Sequence, residues 1–275
     1  MGGICAEYLK GRGHQVCTDR IDVNDFFGMK SKFKSLKPDA VINFAGVRAY
    51  PNIDWCEDHK EETVKVNVAG AINAMLAAID AGAYPIQISS GCIYTGGKDK
   101  LYAEEDEPNF FGSFYSRMKI VMQKAFQELP VLQVRIRMPI SIKSNPRNLI
   151  NKLILYKKVI SIPNSVTLVE NFVAALEKLS LEDRPVGILN LTNDGYLEHP
   201  DILDSYKRIV DPGHSYEQIS MEEFFGKENR QGLVKTGRSN CLLSNEKAKS
   251  FGISMPALDK KRLDLVMAEY KKSLL

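Results

Sequence analysis

Gln87-Ile88-Ser89-Ser90-Gly91-Cys92-Ile93-Tyr94 and, further along, Phe114-Tyr115-Ser116-Arg117-Met118-Lys119 are the two runs on which the reading of this chain turns. The first continues the apolar pair Pro85-Ile86, so it reads as a buried strand that ends in a hydroxyl, a glycine and a thiol. In the second, Tyr115 and Lys119 stand one helical turn apart. On a helix both side chains leave the same face, where an ammonium favours the tyrosinate form and eases proton transfer from the phenol. A strand followed by such a helix presents these groups at the carboxyl edge of a parallel sheet, the usual place for a site in an open α/β fold.

Outward from these runs, strand and helix keep alternating. Upstream, Ala40 to Gly46 reads as a buried strand closing in a glycine turn, and Asp54 to Asp80 as a long helix or helix pair with Asn67-Val68-Ala69-Gly70 in its middle. Phe26 to Leu36 is an expected helix, His14 to Thr18 an expected short strand ending at Asp19-Arg20, and Met1 to His14 an amphipathic helix stopped by glycines. Downstream, the Tyr115 helix runs to Leu129, and Val131 to Arg137 is the next strand, closed by Met138-Pro139. The pattern is an α/β chain with a doubly wound parallel sheet covered on both faces. After Pro139 the texture changes to turns at Asn145-Pro146-Arg147-Asn148 and Pro163-Asn164-Ser165. Helices are expected over Leu149 to Tyr156, Asn171 to Leu181 and Asp201 to Val210, a strand over Gly187 to Leu191, and a helical tail broken at Pro256. Residues 1–140 are therefore assigned to the sheet unit, and 141–275 mostly to a smaller lobe over its cleft with segments returning to the sheet.

Composition narrows the function. A formal charge of +3 over 275 residues, with no basic block interleaved with aromatics, gives nucleic-acid binding no support. No apolar run approaches the roughly 20 residues of a membrane span, and no leader is read at the start. Cys5, Cys17, Cys56, Cys92 and Cys241 are an odd set without a CxxC pair or zinc spacing; reduced thiols, a cytoplasmic location and no metal are expected. Cys5, Cys17, Cys56 and Cys241 are read as packing thiols, and His59, His199 and His214 as surface residues. Asp54 to Glu57 is read as the anchor of a helix start.

Tyr115-x-x-x-Lys119 with Ser90 ahead of it, Asn43-Phe44-Ala45-Gly46, and Asn67-Val68-x-Gly70 together resemble the extended short-chain dehydrogenase/reductases that act on nucleotide sugars, which are Rossmann-like. The resemblance tightens to the bifunctional 3,5-epimerase/4-reductases of nucleotide-rhamnose synthesis. It is carried by Gly46-Val47-x-x-x-Pro51-Asn52-Ile53-Asp54-Trp55-Cys56-Glu57, Gly91-Cys92-Ile93-Tyr94 and Pro108-Asn109-Phe110-x-Gly112-Ser113-Phe114-Tyr115-Ser116. Arg137-Met138-Pro139-Ile140-Ser141, Ser144-Asn145-Pro146-Arg147-Asn148 and Ile162-Pro163-Asn164-Ser165 extend it, and Arg238-Ser239-Asn240 fits more loosely.

The resemblance implies a nucleotide-linked 4-keto-6-deoxy-D-glucose as substrate, UDP- or dTDP-bound, and nucleotide-linked L-rhamnose as product. It implies that Tyr115 gives the proton in ketone reduction, Lys119 tunes it and holds the nicotinamide ribose, and Ser90 bonds the carbonyl oxygen. Cys92 and Lys152 become the acid and base of epimerisation. Ala45, Gly46 and Asn67 border the cofactor, with Asn67 holding helix backbone and ordered water. Asn145, Arg147, Asn164 and Arg238 are the expected substrate ligands, the two arginines as partners of a diphosphate. Asp19 suits a ribose 2′-hydroxyl and Arg20 a 2′-phosphate, which leaves NAD(H) as the alternative; NADP(H) is favoured because the family the chain resembles uses NADPH most readily. A homodimer through the long helices is expected.

Gly2 aligns with the last glycine of the family's G-x-x-G-x-x-G turn, and the strand and two glycines before it are not in this sequence; the native chain is expected to begin upstream. Two rivals follow: a simple 4-ketoreductase without epimerase activity, against which Cys92 and Lys152 argue, and a non-catalytic cofactor-binding regulatory subunit, against which Ser90, Tyr115 and Lys119 argue.

Overall fold

Four apolar segments pair in parallel to make the central sheet: β1 (Ala40–Asn43), β2 (Tyr84–Ser90), β3 (Leu132–Ile136) and β4 (Gly187–Asn190), side by side in that order. The computed structural model describes residues 1–47, 52–225 and 235–274; Pro51 of the quoted loop motif lies outside them. Every residue of β2 is buried, which follows from its place between β1 and β3 and from cover on both faces. Ile86 faces Ile42 on one side and Leu132 on the other, so the apolar register is shared across the sheet.

Helices supply that cover. On one face α1 (Gly2–Gly11) packs on Val169–Lys178, and Cys5, Phe172, Val173 and Leu176 close over Ile86, Ile88 and Val134. On the other, α2 (Phe26–Leu36), α3 (Ala71–Asp80) and α4 (Phe114–Ala125) bring in Met29, Met75, Met122 and Phe126. Asp25 starts α2 by accepting the Gly28 amide at 2.9 Å, satisfying one of the donors a helix start leaves open. The expected helix over 54–80 is broken into Trp55–Asp58, Lys60–Val64, a π-helical stretch Lys65–Gly70, and α3. Gly70 permits the close approach of the 22–24 loop there: a Cβ would lie 2.6 Å from Val23 Cγ2.

The expected strand at 14–18 is not formed. A strand needs a ladder partner for its amides and carbonyls, and no described segment pairs with this one. On that side the sheet ends at β1, where Ala40, Val41 and Ile42 are only half-buried.

The remainder packs around a separate core. The strand Asn164–Leu168 pairs antiparallel with Asn193–Leu197 and parallel with Pro139–Ile140, and the helices His199–Ile209 and Lys260–Lys272 pack on each other. Ile150, Leu153, Leu168, Ile202, Leu203, Leu263, Met267 and Tyr270 fill this core. The helix carrying Lys152 is Leu149–Leu153, shorter than the expected 149–156. Among the described residues no helix is long and apolar enough to cross a membrane.

Packing of the central sheet sets the stability. Replacing fully buried Ile86 by Ala is expected to cost about 2–5 kcal/mol through lost burial and the cavity left behind. Replacing Phe27, 79% exposed, should stay within about 0.5 kcal/mol. Paired urea denaturation curves check the contrast.

Candidate active site

The carboxyl ends of β1, β2 and β3 meet helix α4 in one cleft. At the end of β2, the Gly91 amide donates to the Ile136 carbonyl at 3.0 Å, and the Ser90 hydroxyl accepts the Cys92 amide at 3.1 Å. This local turn fixes Ser90 and Cys92 relative to each other. The start of α4 is held twice: Ser113 accepts the Ser116 amide at 3.1 Å, and Glu57 accepts the Phe114 amide at 2.6 Å, a carboxylate placed at the positive end of the helix. Tyr115 and Lys119 are thereby set on the inward face, both buried, with Lys119 Nζ 5.8 Å from the centre of the Tyr115 ring.

The loop after β1 closes the cleft from the other side. Buried Asn67, inside the π-helical stretch, holds both polar groups of the Val47 backbone: its Oδ1 accepts the amide at 2.7 Å and its Nδ2 donates to the carbonyl at 2.6 Å. The Ala45 amide donates to Asn43 Oδ1 at 2.9 Å. Gly46 then lies where a Cβ would stand 3.3 Å from Asn67 Oδ1 and 3.9 Å from Lys119 Nζ. A backbone without side chains, beside a buried ammonium at the carboxyl edge of a parallel sheet, fits the ribose and ring of a dinucleotide.

The residue that sequence reasoning missed is Arg137. Its guanidinium is buried, Nη1 donates to Cys92 Sγ at 2.6 Å, Nε and Nη2 donate to Asn164 Oδ1 at 3.1 and 2.5 Å, and Nη2 also reaches the Ser239 carbonyl. Burial pulls its pKa down, but the facing groups, Cys92 first, reverse this and leave it raised; Cys241 and Tyr115 add to the effect. Arg135 points to the same side of the strand and donates to Gln123 Oε1 at 3.0 and 2.9 Å, with its guanidinium 5.2 Å from the Tyr94 ring centre. Two arginines alternating in a fully buried strand sequence, Leu132-Gln133-Val134-Arg135-Ile136-Arg137, were the available signal, because a guanidinium is not buried without partners.

The other expected site residues fall in three places. Asn164 is buried under Arg137, and its carbonyl oxygen also accepts the Cys241 amide at 3.2 Å. Arg238 is held by Asp54 through two bonds of 2.8 and 2.7 Å, which ties the 235–241 segment to the helix start at Trp55. Asn145 and Arg147 are exposed on the turn that precedes the Lys152 helix, where Asn145 Oδ1 accepts the Arg147 amide at 2.9 Å; Lys152 itself is half-buried. Asp19 is exposed and paired with Lys32 at 2.5 Å, which holds its carboxyl below the usual range, and Arg20 beside it is exposed. Gly2 opens α1 and packs against Phe44.

Three expectations are corrected. His199 is half-buried by its exposure rather than on the surface, with the Ile160 backbone within hydrogen-bonding reach, and burial of the ring together with the charge of Arg137 lowers its pKa to about 4. His214 is half-buried, its ring edge-on to Tyr206 at 5.2 Å. Cys17 is exposed rather than packed, because the strand that would have turned it inward is not formed; Cys5, Cys56 and Cys241 are buried.

The family described as RmlD substrate binding domain matches residues 5–184. The bifunctional dTDP-4-dehydrorhamnose 3,5-epimerase/dTDP-4-dehydrorhamnose reductase of Arabidopsis thaliana is 32% identical over 99% of this chain and 91% of its own length. A trifunctional UDP-glucose 4,6-dehydratase/UDP-4-keto-6-deoxy-D-glucose 3,5-epimerase/UDP-4-keto-L-rhamnose-reductase from the same plant is 35% identical over 89% of this chain, which spans only 35% of that longer protein. Among solved structures, the L780 UDP-rhamnose synthase of Acanthamoeba polyphaga mimivirus superposes with a TM-score of 0.87 over 98% of this chain and 95% of its own, at 29% identity. A dTDP-4-dehydrorhamnose reductase from Bacillus anthracis in complex with NADP, 18% identical, shares the fold with a TM-score of 0.81 over 98% of this chain and 95% of its own.

His199 gives the site a measurable pH dependence. An unfolded histidine takes a proton near pH 6.5, whereas the folded ring refuses it until about pH 4. The unfolded state binds more protons in that window, so stability is present above it and erodes as pH falls through it. His199→Gln should flatten part of this acid limb, seen as a smaller drop in urea midpoint than wild type between neutral pH and about pH 4.

Proposed function

The chain belongs to the RmlD substrate binding domain family, and from that premise we propose that it epimerises a nucleotide-linked 4-keto-6-deoxy-D-glucose at C3 and C5 and reduces it at C4 to nucleotide-linked L-rhamnose. The observation that carries the reading is the gathering of Ser90, Cys92, Tyr115 and Lys119 at one sheet edge with a buried guanidinium on the thiol. On this reading residues 1–140 form the cofactor unit and 141–275 mostly the substrate lobe.

A nicotinamide cofactor, NADP(H) in preference to NAD(H), supplies the hydride when bound. Ala45, Gly46, Tyr115 and Lys119 would hold its nicotinamide half, and Gly2, Asp19 and Arg20 its adenosine half; Asn67 serves by fixing the loop. In epimerisation, Cys92 takes the proton from the carbon beside the C4 ketone, and Lys152 returns one to the opposite face, or the two exchange roles. The electron pair released from the C–H bond moves into the enolate, whose oxygen the Ser90 hydroxyl holds. In reduction, Tyr115 gives its proton to the C4 oxygen while the Lys119 ammonium stabilises the phenolate left behind. Arg147 is assigned to the diphosphate and Asn145 to the substrate more generally. Arg238 reaches it only by leaving Asp54, and Asn164 acts through Arg137.

The same reading places the enzyme in the cytosol, as a homodimer through α3 and α4, whose Leu76 and Val121 are exposed.

Cys92→Ser and Lys152→Ala should each lower deuterium uptake from heavy water at C3 and C5 by about 10²–10⁴-fold while an already epimerised 4-ketose is still reduced, and Tyr115→Phe should do the reverse. Equal loss of both activities in all three variants would sink the division of labour. Arg20→Ala should raise the KM for NADPH more than that for NADH; an unchanged ratio removes the basis for the NADP preference.

A further inference from the structure

Arg137 is a buried cation with one guanidinium nitrogen on a sulfur, and the proposed chemistry gives it no step of its own. Its guanidinium is fixed from three directions: Asn164 Oδ1 takes Nε and Nη2, the Ser239 carbonyl takes Nη2, and the backbone is clamped by Thr167, whose Oγ1 accepts the Arg137 amide at 3.1 Å and whose amide donates to the Arg137 carbonyl at 2.8 Å. Met138 follows with φ of +38°, a left-handed conformation that a side-chain-bearing residue adopts only where its surroundings hold it there. With Nε and Nη2 committed, Nη1 is left aimed at Cys92 Sγ, 2.6 Å away.

We infer that Arg137 is a positioning residue for epimerisation: its Nη1 steers the Cys92 sulfur toward the substrate and stabilises the negative charge on that sulfur whenever it is without its proton. A charge-assisted bond is stronger than a neutral one, and here the donor end is buried and fixed in advance while the sulfur is half-buried, so little reorganisation is needed when the thiol gives up or regains its proton. The inference rests on the proposed epimerase role of Cys92, and the test separates the two.

Alkylation at Cys92 by anionic iodoacetate and by neutral iodoacetamide is followed on the Cys92 peptide by mass spectrometry, with a free cysteine amide as reference. In the wild-type protein the iodoacetate-to-iodoacetamide rate ratio at Cys92 should exceed the reference severalfold, because a cation stands beside the sulfur. Arg137→Met should bring the ratio down to the reference, and Arg137→Lys should restore part of it. Deuterium uptake at C3 and C5 should follow the same order through kcat, with KM little changed. Should Arg137→Met fail to fold, Asn164→Ala, which releases two of the anchoring bonds, should lower the ratio in the same direction. A wild-type ratio equal to the reference, a ratio unchanged in Arg137→Met, or uptake that ignores the loss of the ratio each overturns the inference. If instead Cys92→Ser keeps full deuterium uptake, the epimerase reading of Cys92 falls, whatever the alkylation ratio shows.

Discussion

Parallel strands cannot be joined by a tight turn, and that constraint governs this molecule. Each chain end leaving β1, β2 or β3 must travel over a face of the sheet before the next strand begins, so all three leave at the same edge. The loop after β1, the Ser90-Gly91-Cys92 turn and the Arg137-Met138 turn are neighbours for that reason, although they are far apart in sequence. Helix α4 is the return path between β2 and β3, and its first turn has to start over the same edge. Glu57 and Ser113 then determine its rotation, which decides that Tyr115 and Lys119 face the cleft and not solvent.

Two guanidiniums buried on one strand show how partner chemistry decides the outcome of burial. Arg135 and Arg137 lose comparable hydration, yet burial leaves the pKa of Arg135 lowered while that of Arg137 is raised. The hydrogen-bond acceptors of Arg135 are an amide and a carbonyl, and Tyr94 and Glu104 nearby offset the effect of burial without reversing it. Arg137 faces a thiol that can carry charge. Breaking such a buried set by removing one partner typically costs about 3–5 kcal/mol, since the remaining charge is left unpaired. Arg135 thus reads as a structural tie between β3 and α4, and Arg137 as a tie whose free end is spent on a reactive group.

What the amino-acid order made legible was whatever local chemistry decides. The helix at 26–36 is fixed by an Asp25 cap and its apolar spacing, and the structure has those same bounds. Tyr115 and Lys119 follow from helical spacing alone. The strand at 14–18 was misread because propensity cannot report whether a ladder partner is present. The π-helical turn at Lys65–Gly70 was misread because one extra residue in a turn leaves the apolar pattern nearly intact, and its evidence is Asn67 reaching Val47 across the cleft. Arg137, Asn164 and Cys92 could not be joined from sequence, since their contacts span 27 and 45 residues. Arg238 was assigned to an anion by its type, whereas a carboxylate 184 residues away already holds it.

The two proposed chemistries draw on different parts of the molecule. Ser90, Tyr115 and Lys119 are positioned by β2 and α4, with Glu57 and Ser113 behind them, all within the sheet unit. The Cys92 sulfur is steered by a guanidinium whose anchors, Asn164, Thr167 and Ser239, lie on the second lobe and on the segment that returns from it. Lys152 is on that lobe as well. Epimerisation therefore depends on how the lobe sits against the sheet, and reduction does not depend on it to the same degree. On the proposed roles one ketone can undergo both reactions without a second site: Cys92 and Lys152 exchange protons at C3 and C5, and Tyr115 gives the proton in reduction.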